Sequence, residues 1–102
     1  MNDPSFQVFP LEDRPGLRLV GELDLSTVDA FATALAVLPR GPVTLELAEL
    51  TFIDSTGLHA LVRHADSLNG SGPIVLEHMP PMIRQVFEIT RLDQHPALRL
   101  AS

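Results

Sequence analysis

Apolar and polar residues alternate in two stretches near the N-terminus, Phe6-Gln7-Val8-Phe9 and Leu17-Arg18-Leu19-Val20. Both read as strands. Pro10 and an Arg14-Pro15-Gly16 turn separate them, which predicts a hairpin whose first strand is an edge. Gly21-Glu22-Leu23-Asp24-Leu25 leads out of the second strand. Ser26 or Thr27 then offers an N-cap, and Asp29 puts negative charge in the first helical turn. Val28, Phe31, Leu35 and Leu38 recur at helical spacing, and Pro39-Arg40-Gly41-Pro42 ends the helix.

Val43-Thr44-Leu45-Glu46-Leu47 alternates cleanly as a third strand. Ala48-Glu49-Leu50 continues it irregularly into Thr51-Phe52-Ile53. The next helix is expected to bury Leu58, Leu61, Val62, Ala65 and Leu68. Asn69-Gly70-Ser71-Gly72-Pro73 is a loop, and Ile74-Val75-Leu76-Glu77 a short interior strand. Met79-Pro80-Pro81 precedes a third helix, because proline in a first turn forfeits no hydrogen bond. Met82, Ile83, Val86, Phe87 and Ile89 form its expected apolar side. Residues 93–96 break the pattern, and Ala97-Leu98-Arg99-Leu100 reads as a last edge strand or an ordered tail.

Strands that alternate with one-sided helices predict an α/β fold: a mixed four- to five-stranded sheet with helices packed mainly on one face. The 102 residues suit a single domain, with its core from about residue 6 to residue 100. Strand order does not follow from this pattern.

Charge narrows the partners. The formal net charge is −6, from 13 acidic and 7 Lys+Arg residues. Nucleic acid and anionic membrane both call for basic patches, so neither is the expected partner, whereas a basic protein surface suits the charge. The absence of cysteine removes disulfides, thiol catalysis and Cys-zinc sites. The opening Met1-Asn2-Asp3-Pro4-Ser5 lacks the basic and apolar regions of a signal peptide. No apolar run approaches the roughly 20 residues of a membrane span. A soluble cytoplasmic protein is the expectation.

The most informative stretch joins the third strand to the second helix. After Ile53 come Asp54, Ser55, Thr56 and Gly57, then the amphipathic pattern. Asp, Ser and Thr are residue types that cap a helix N-terminus. The unpaired N–H groups of a first turn, with the helix dipole behind them, also favour a phosphate. Chemistry alone makes Ser55 a cap first and a phosphate acceptor second.

Three segments, in order and spacing, resemble the STAS domain. They are Gly21-Glu22-Leu23-Asp24, Ile53-Asp54-Ser55-Thr56-Gly57-Leu58 and Val86-Phe87-Glu88-Ile89-Thr90-Arg91-Leu92. More narrowly they resemble the bacterial anti-sigma factor antagonists, over nearly the whole chain. The resemblance implies a partner switch without enzymatic activity or cofactor. The unmodified antagonist binds an anti-sigma factor that is also a serine kinase of the histidine-kinase-like ATPase fold, and the sigma factor is released. The kinase then phosphorylates the serine after the aspartate, here Ser55. The phosphorylated form lets go, and a PP2C-type phosphatase resets it. Asp24, Asp54, Ser55, Thr56, Gly57, Leu58 and His59 are the implied partner-binding residues, and the free chain is expected to be a monomer. The alternative is a STAS adaptor, not phosphorylated, serving a transport or stress-signalling complex.

The chain departs from the family pattern at two positions and in the short, proline-bounded segment between the first helix and the third strand. His59 stands where a glycine is common, and Arg91 stands where glycine often follows the third helix, so that helix needs another C-cap. Ser55, Asp54 and His59 invite a hydrolase reading, but Ile53 occupies the first glycine position of the nucleophile elbow, and no separate acid is placed to orient His59. His59 and His64 are five residues apart, not the four of a helical zinc pair. His78 and His95 read as surface or loop histidines, and Met79 and Met82 as packing. Neither catalytic residues nor metal ligands are expected.

Overall fold

A computed structural model describes residues 5–101. The signal-peptide reading rests on Met1–Ser5, of which all but Ser5 lie outside the described residues. Strands β1 (Phe6–Pro10) and β2 (Gly16–Leu23) form the expected antiparallel hairpin, with Phe6 opposite Gly21 and Pro10 opposite Leu17. Helix α1 (Val28–Ala36) leads to β3 (Val43–Ile53), α2 (Ser55–Ser67) to β4 (Ile74–Glu77), and α3 (Pro81–Ile89) through a 3-10 turn at Leu92–Gln94 to β5 (Leu98–Leu100). The sheet order is β1-β2-β3-β4-β5, with β2 to β5 all parallel. The sheet is therefore mixed, as expected, and its order is the chain order. Each parallel crossover steps in the same direction, so right-handed connections put all three helices on one face.

The irregular stretch in β3 has a structural cause. Between Arg18 and Val20, and again between Gly21 and Glu22, β3 advances one residue more than β2. These are β-bulges. Simple alternation from Leu47 would turn Leu50 outward. The first extra residue brings Leu50 inward, the second returns Ile53 to the same face, and Leu45, Leu47, Leu50 and Ile53 are all buried. Gly21, in the first quoted motif, sits at the second bulge with φ +99°, where a Cβ would come within 2.0 Å of the Ser5 carbonyl oxygen. That glycine serves the backbone.

One hydrophobic core fills the space between sheet and helices, joining Leu19, Leu23, Leu45 and Leu76 to Phe31, Leu35, Leu61 and Phe87. Several sequence expectations need correction. Thr27 is the N-cap residue of α1, yet its hydroxyl makes no cap bond, because it donates to the Glu22 carbonyl oxygen and accepts from the Asp24 N–H. Val28 and Val62 are half-buried, since each lies at the margin of its stripe. Met82 and Ile89 are 76% and 73% exposed. Ile83 and Phe87, one turn apart, carry the α3 packing, and residues seven apart return to one side of a helix, here the outer one. Met79 does pack against the core.

The C-cap of α3 is also resolved. Thr90 holds the cap position, and its hydroxyl donates to the Val86 carbonyl at 2.7 Å. Arg91 follows in the left-handed conformation, φ +62°, normally taken by glycine. No helix among the described residues is long and apolar enough to cross a membrane.

Candidate functional site

The strand-to-helix junction is built where two parallel strands end side by side. Leu23 pairs with Ile53, and the Asp54 N–H donates to the Leu23 carbonyl at 3.1 Å. The loop after β2 and the turn after β3 therefore leave the sheet together. In α/β folds the carboxyl ends of neighbouring parallel strands are where ligands and partners are met.

Asp54 is the N-cap of α2. Its extended backbone (φ −109°, ψ −176°) turns the side chain back, and Oδ1 accepts the Gly57 N–H at 3.0 Å. The Asp54 carbonyl accepts the Leu58 N–H at 3.0 Å, the first bond of the helix. Ser55 is thus the first helical residue and not the cap. It is exposed, and its hydroxyl makes no hydrogen bond among the described residues. Thr56 is half-buried, His59 is exposed, and Gly57 and Leu58 are buried beneath the turn. A Cβ on Gly57 would meet Leu23 Cγ at 2.8 Å and Ile53 Cγ1 at 3.1 Å, so this glycine lets α2 settle onto the strand ends.

Asp24 lies alongside. Its Oδ1 accepts the Ser26 N–H at 2.9 Å and the Ser26 hydroxyl at 2.7 Å. The Ser26 hydroxyl hydrogen bond is the chief reason that the Asp24 carboxyl is held below the usual carboxylate range. A second negative charge therefore stays fixed near Asp54.

Two shallow depressions flank the junction. One is lined by Asp24, Leu25, Ser26, Phe52 and Asp54. Leu25 is 76% and Phe52 45% exposed, so its floor is apolar and its edges are acidic. The other lies between α1 and α2, where Val28 and Asp29 face Ser55, Thr56, His59 and Arg63. The sequence reading missed Leu25, Phe52 and Arg63. An apolar Leu25 between Asp24 and Ser26 was a signal, since nothing in a polar loop needs it. Phe52 was hidden, because the irregular stretch after Leu47 leaves the facing of its residues unreadable from alternation.

His59 has no hydrogen-bonding or ionic partner among the described residues. The paired histidines lie elsewhere. His95, near the far end of α2, places Nε2 2.9 Å from Asp66 Oδ1 while its Nδ1 accepts the Ala97 N–H. His78 Nδ1 lies against Glu46 Oε2, and Arg14 reaches Glu77 at 2.7 Å. Glu46, Glu77 and His78 offer ligand atoms within 4.8 Å of one another, with Glu77 paired to Arg14 and Glu46 to His78 itself.

A family model described as "Mlab, STAS domain" matches residues 10–100. The chain belongs to the STAS family. No curated protein is similar enough in sequence to match. Among solved structures, this STAS domain is similar to an anti-sigma factor antagonist from Mycobacterium paratuberculosis. Identity is 21%, over 96% of this chain and 89% of that one, with a TM-score of 0.72. It is similar also to the anti-sigma factor antagonist SpoIIAA in its unphosphorylated form, with 23% identity, 95% and 88% coverage, and a TM-score of 0.57. The Bacillus cell fate determinant SpoIIAA in the phosphorylated form gives 20% identity, 95% and 91% coverage, and a TM-score of 0.60. At these identities the likeness is one of fold, and it matches the mixed sheet and helices described above.

Proposed function

We propose that this STAS domain is an anti-sigma factor antagonist switched by phosphorylation of Ser55. The observation that carries the reading is the division of labour at the junction. Asp54 makes the cap bond to Gly57, so the Ser55 hydroxyl is exposed and has no structural task. Two of the similar folds belong to one antagonist described in phosphorylated and unphosphorylated forms, which supports the same chemistry here.

The partner is an anti-sigma factor with serine kinase activity. The unphosphorylated domain binds it through Asp24, Asp54, Ser55, Thr56 and His59, with Gly57 and Leu58 seating the turn from below. Leu25 and Phe52 add exposed apolar area beside the carboxylates, the mixture that a desolvated contact with a basic rim uses. The kinase transfers phosphate from ATP to the Ser55 oxygen, and the hydroxyl proton leaves. The modification adds a charge of about −1.5 to −2. At a helix N-terminus the fold tolerates it. In the contact it must be stripped of water beside Asp54 and Asp24 and over the apolar Leu25 and Phe52, and that desolvation, which a surface fitted to a neutral hydroxyl does not repay, releases the partner. A PP2C-type phosphatase restores the serine. This cycle belongs in the bacterial cytoplasm, acts on transcription through the sigma factor, and needs no cofactor or catalytic residue in this chain.

The matched family description names no antagonist, so an unphosphorylated STAS adaptor is the second reading. The exposure of Ser55 favours the switch. The two separate on one comparison: binding of the anti-sigma kinase by wild type, Ser55→Ala and Ser55→Asp. The switch reading expects Ser55→Ala to bind as wild type and Ser55→Asp to lose binding at least tenfold. Equal binding by all three would replace it with the adaptor.

A further inference from the structure

The added phosphate needs hydrogen-bond donors, and the helix end has already committed one of its own. The Gly57 N–H is held by Asp54, and the Leu58 N–H by the Asp54 carbonyl. The N–H groups of Ser55 and Thr56 remain at the first turn, and side chains can add donors to them. In the depression between α1 and α2, Ser55, His59 and Arg63 follow one another at intervals of four residues on the same side of α2. Helical side chains lean toward the N-terminus, so His59 lies over the turn that carries Ser55, and Arg63 over the turn that carries His59. Neither His59 nor Arg63 has a hydrogen-bonding or ionic partner among the described residues. In a chain of net charge −6, His59 one turn and Arg63 two turns along the groove from the Ser55 hydroxyl, both without such partners, form a local exception, and the long Arg63 side chain reaches Ser55 only by stretching back past His59.

We propose that phosphorylated Ser55 is held by its own helix, with His59 and Arg63 closing on the phosphate as an intramolecular clamp. The inference rests on the reading of Ser55 as the acceptor, and it gives Arg63 a task and His59 a second one, after its part in binding the partner. The free hydroxyl offers Arg63 no charge to meet, so the clamp forms only after modification. The guanidinium can give two parallel N–H bonds to one phosphate. Asp29 on α1 is the carboxylate that lines the same depression, and Asp54 caps the turn next to Ser55; both oppose the phosphate. The clamp offsets them. The phosphorylated form is thereby stabilised as a free domain, and its phosphate is partly covered against a phosphatase.

The test places phosphoserine at position 55 by chemical ligation, in the full chain, with no kinase involved. The titration midpoint of the phosphate is followed by phosphorus NMR in wild type, His59→Gln, Arg63→Gln and the double variant, and in each chain unfolded in urea as reference. Cationic neighbours favour the dianion, so the folded wild type is expected to titrate about half a pH unit or more below the folded double variant. Each single variant should lie between them. Equal midpoints in folded wild type and double variant, or a folded wild-type midpoint at or above its urea value, would overturn the clamp. Whether cells phosphorylate Ser55 is read separately by mass, so failure of the switch and failure of the clamp give different results.

Discussion

Asp54 Oδ1 accepts the Gly57 N–H at 3.0 Å, and that single bond separates the structural residue of the junction from the reactive one. A serine needed as cap would be tied into the helix. Here the aspartate does that work, and the neighbouring hydroxyl points to solvent. Asp54→Ala is expected to cost about 1 kcal/mol of stability, which for a domain of this size lowers Tm by about 4–8 °C. Asp54→Asn should keep most of it, and Ser55→Ala should stay within about 0.5 kcal/mol of wild type. Thermal unfolding of the three variants checks the assignment, and a larger loss from Ser55→Ala than from Asp54→Ala would reverse it.

Gly57 is small because Leu23 is beneath it. Its φ is not in the left-handed region, so space is the constraint and not backbone freedom. Gly57→Ala would put a methyl 2.8 Å from Leu23 Cγ, in a core where Leu23 is 1% exposed. The expected cost is about 1–3 kcal/mol, the usual range for overpacking. Urea denaturation measures it. A neutral result would mean that α2 moves off the strand ends without penalty.

The sheet and its helices were legible because the hydrophobic periods changed cleanly, from two in β1 and β2 to helical spacing in α1 and α2. The bulges were not legible as bulges. They appeared only as irregularity around Ala48-Glu49-Leu50, because alternation carries no record of which strand holds the extra residue. The sequence also overcounted the α3 stripe at Met82 and Ile89, since periodicity marks apolar residues and not what packs against them. At the site, Asp54, Ser55 and Gly57 were visible as residue types, but only the hydrogen bonds divide cap from free hydroxyl. Arg63 was invisible, as it belongs to the site through helix geometry alone.

Arg91 carries a backbone conformation that suits glycine better. A non-glycine residue in the left-handed region costs about 1–2 kcal/mol, and the extra freedom of glycine in the unfolded chain returns part of it. Arg91→Gly is expected to raise stability by about 0.5–1 kcal/mol. Arg91 makes no ion pair among the described residues that would be lost. A fall in Tm would show that the side chain contributes by another route.

Two histidines tilt stability in opposite directions. The hydrogen bond to Glu46, followed by that carboxylate's charge, raises His78 above the ordinary imidazole value of 6.5. A raised folded value means that stabilisation is complete below that value and is lost as pH rises through the higher folded one. Burial lowers His64, so the folded state resists its protonation and stability falls as pH drops below 6.5. Urea midpoints across about pH 5 to pH 9 should therefore lose their alkaline decline in His78→Gln and part of their acid decline in His64→Gln. Unchanged profiles in both variants would remove these groups from the pH dependence.

The central claim is that Ser55 receives a phosphate. Intact mass, followed by site mapping, after incubation with ATP and lysate of the protein's own host tests it most directly, with Ser55→Ala beside the wild type. One phosphate on the wild type, mapped to Ser55, and none on Ser55→Ala is the expected result. No phosphate on either chain, in a lysate that phosphorylates an endogenous antagonist, or equal phosphate on both, would contradict the switch and leave Ser55 an exposed first residue of α2.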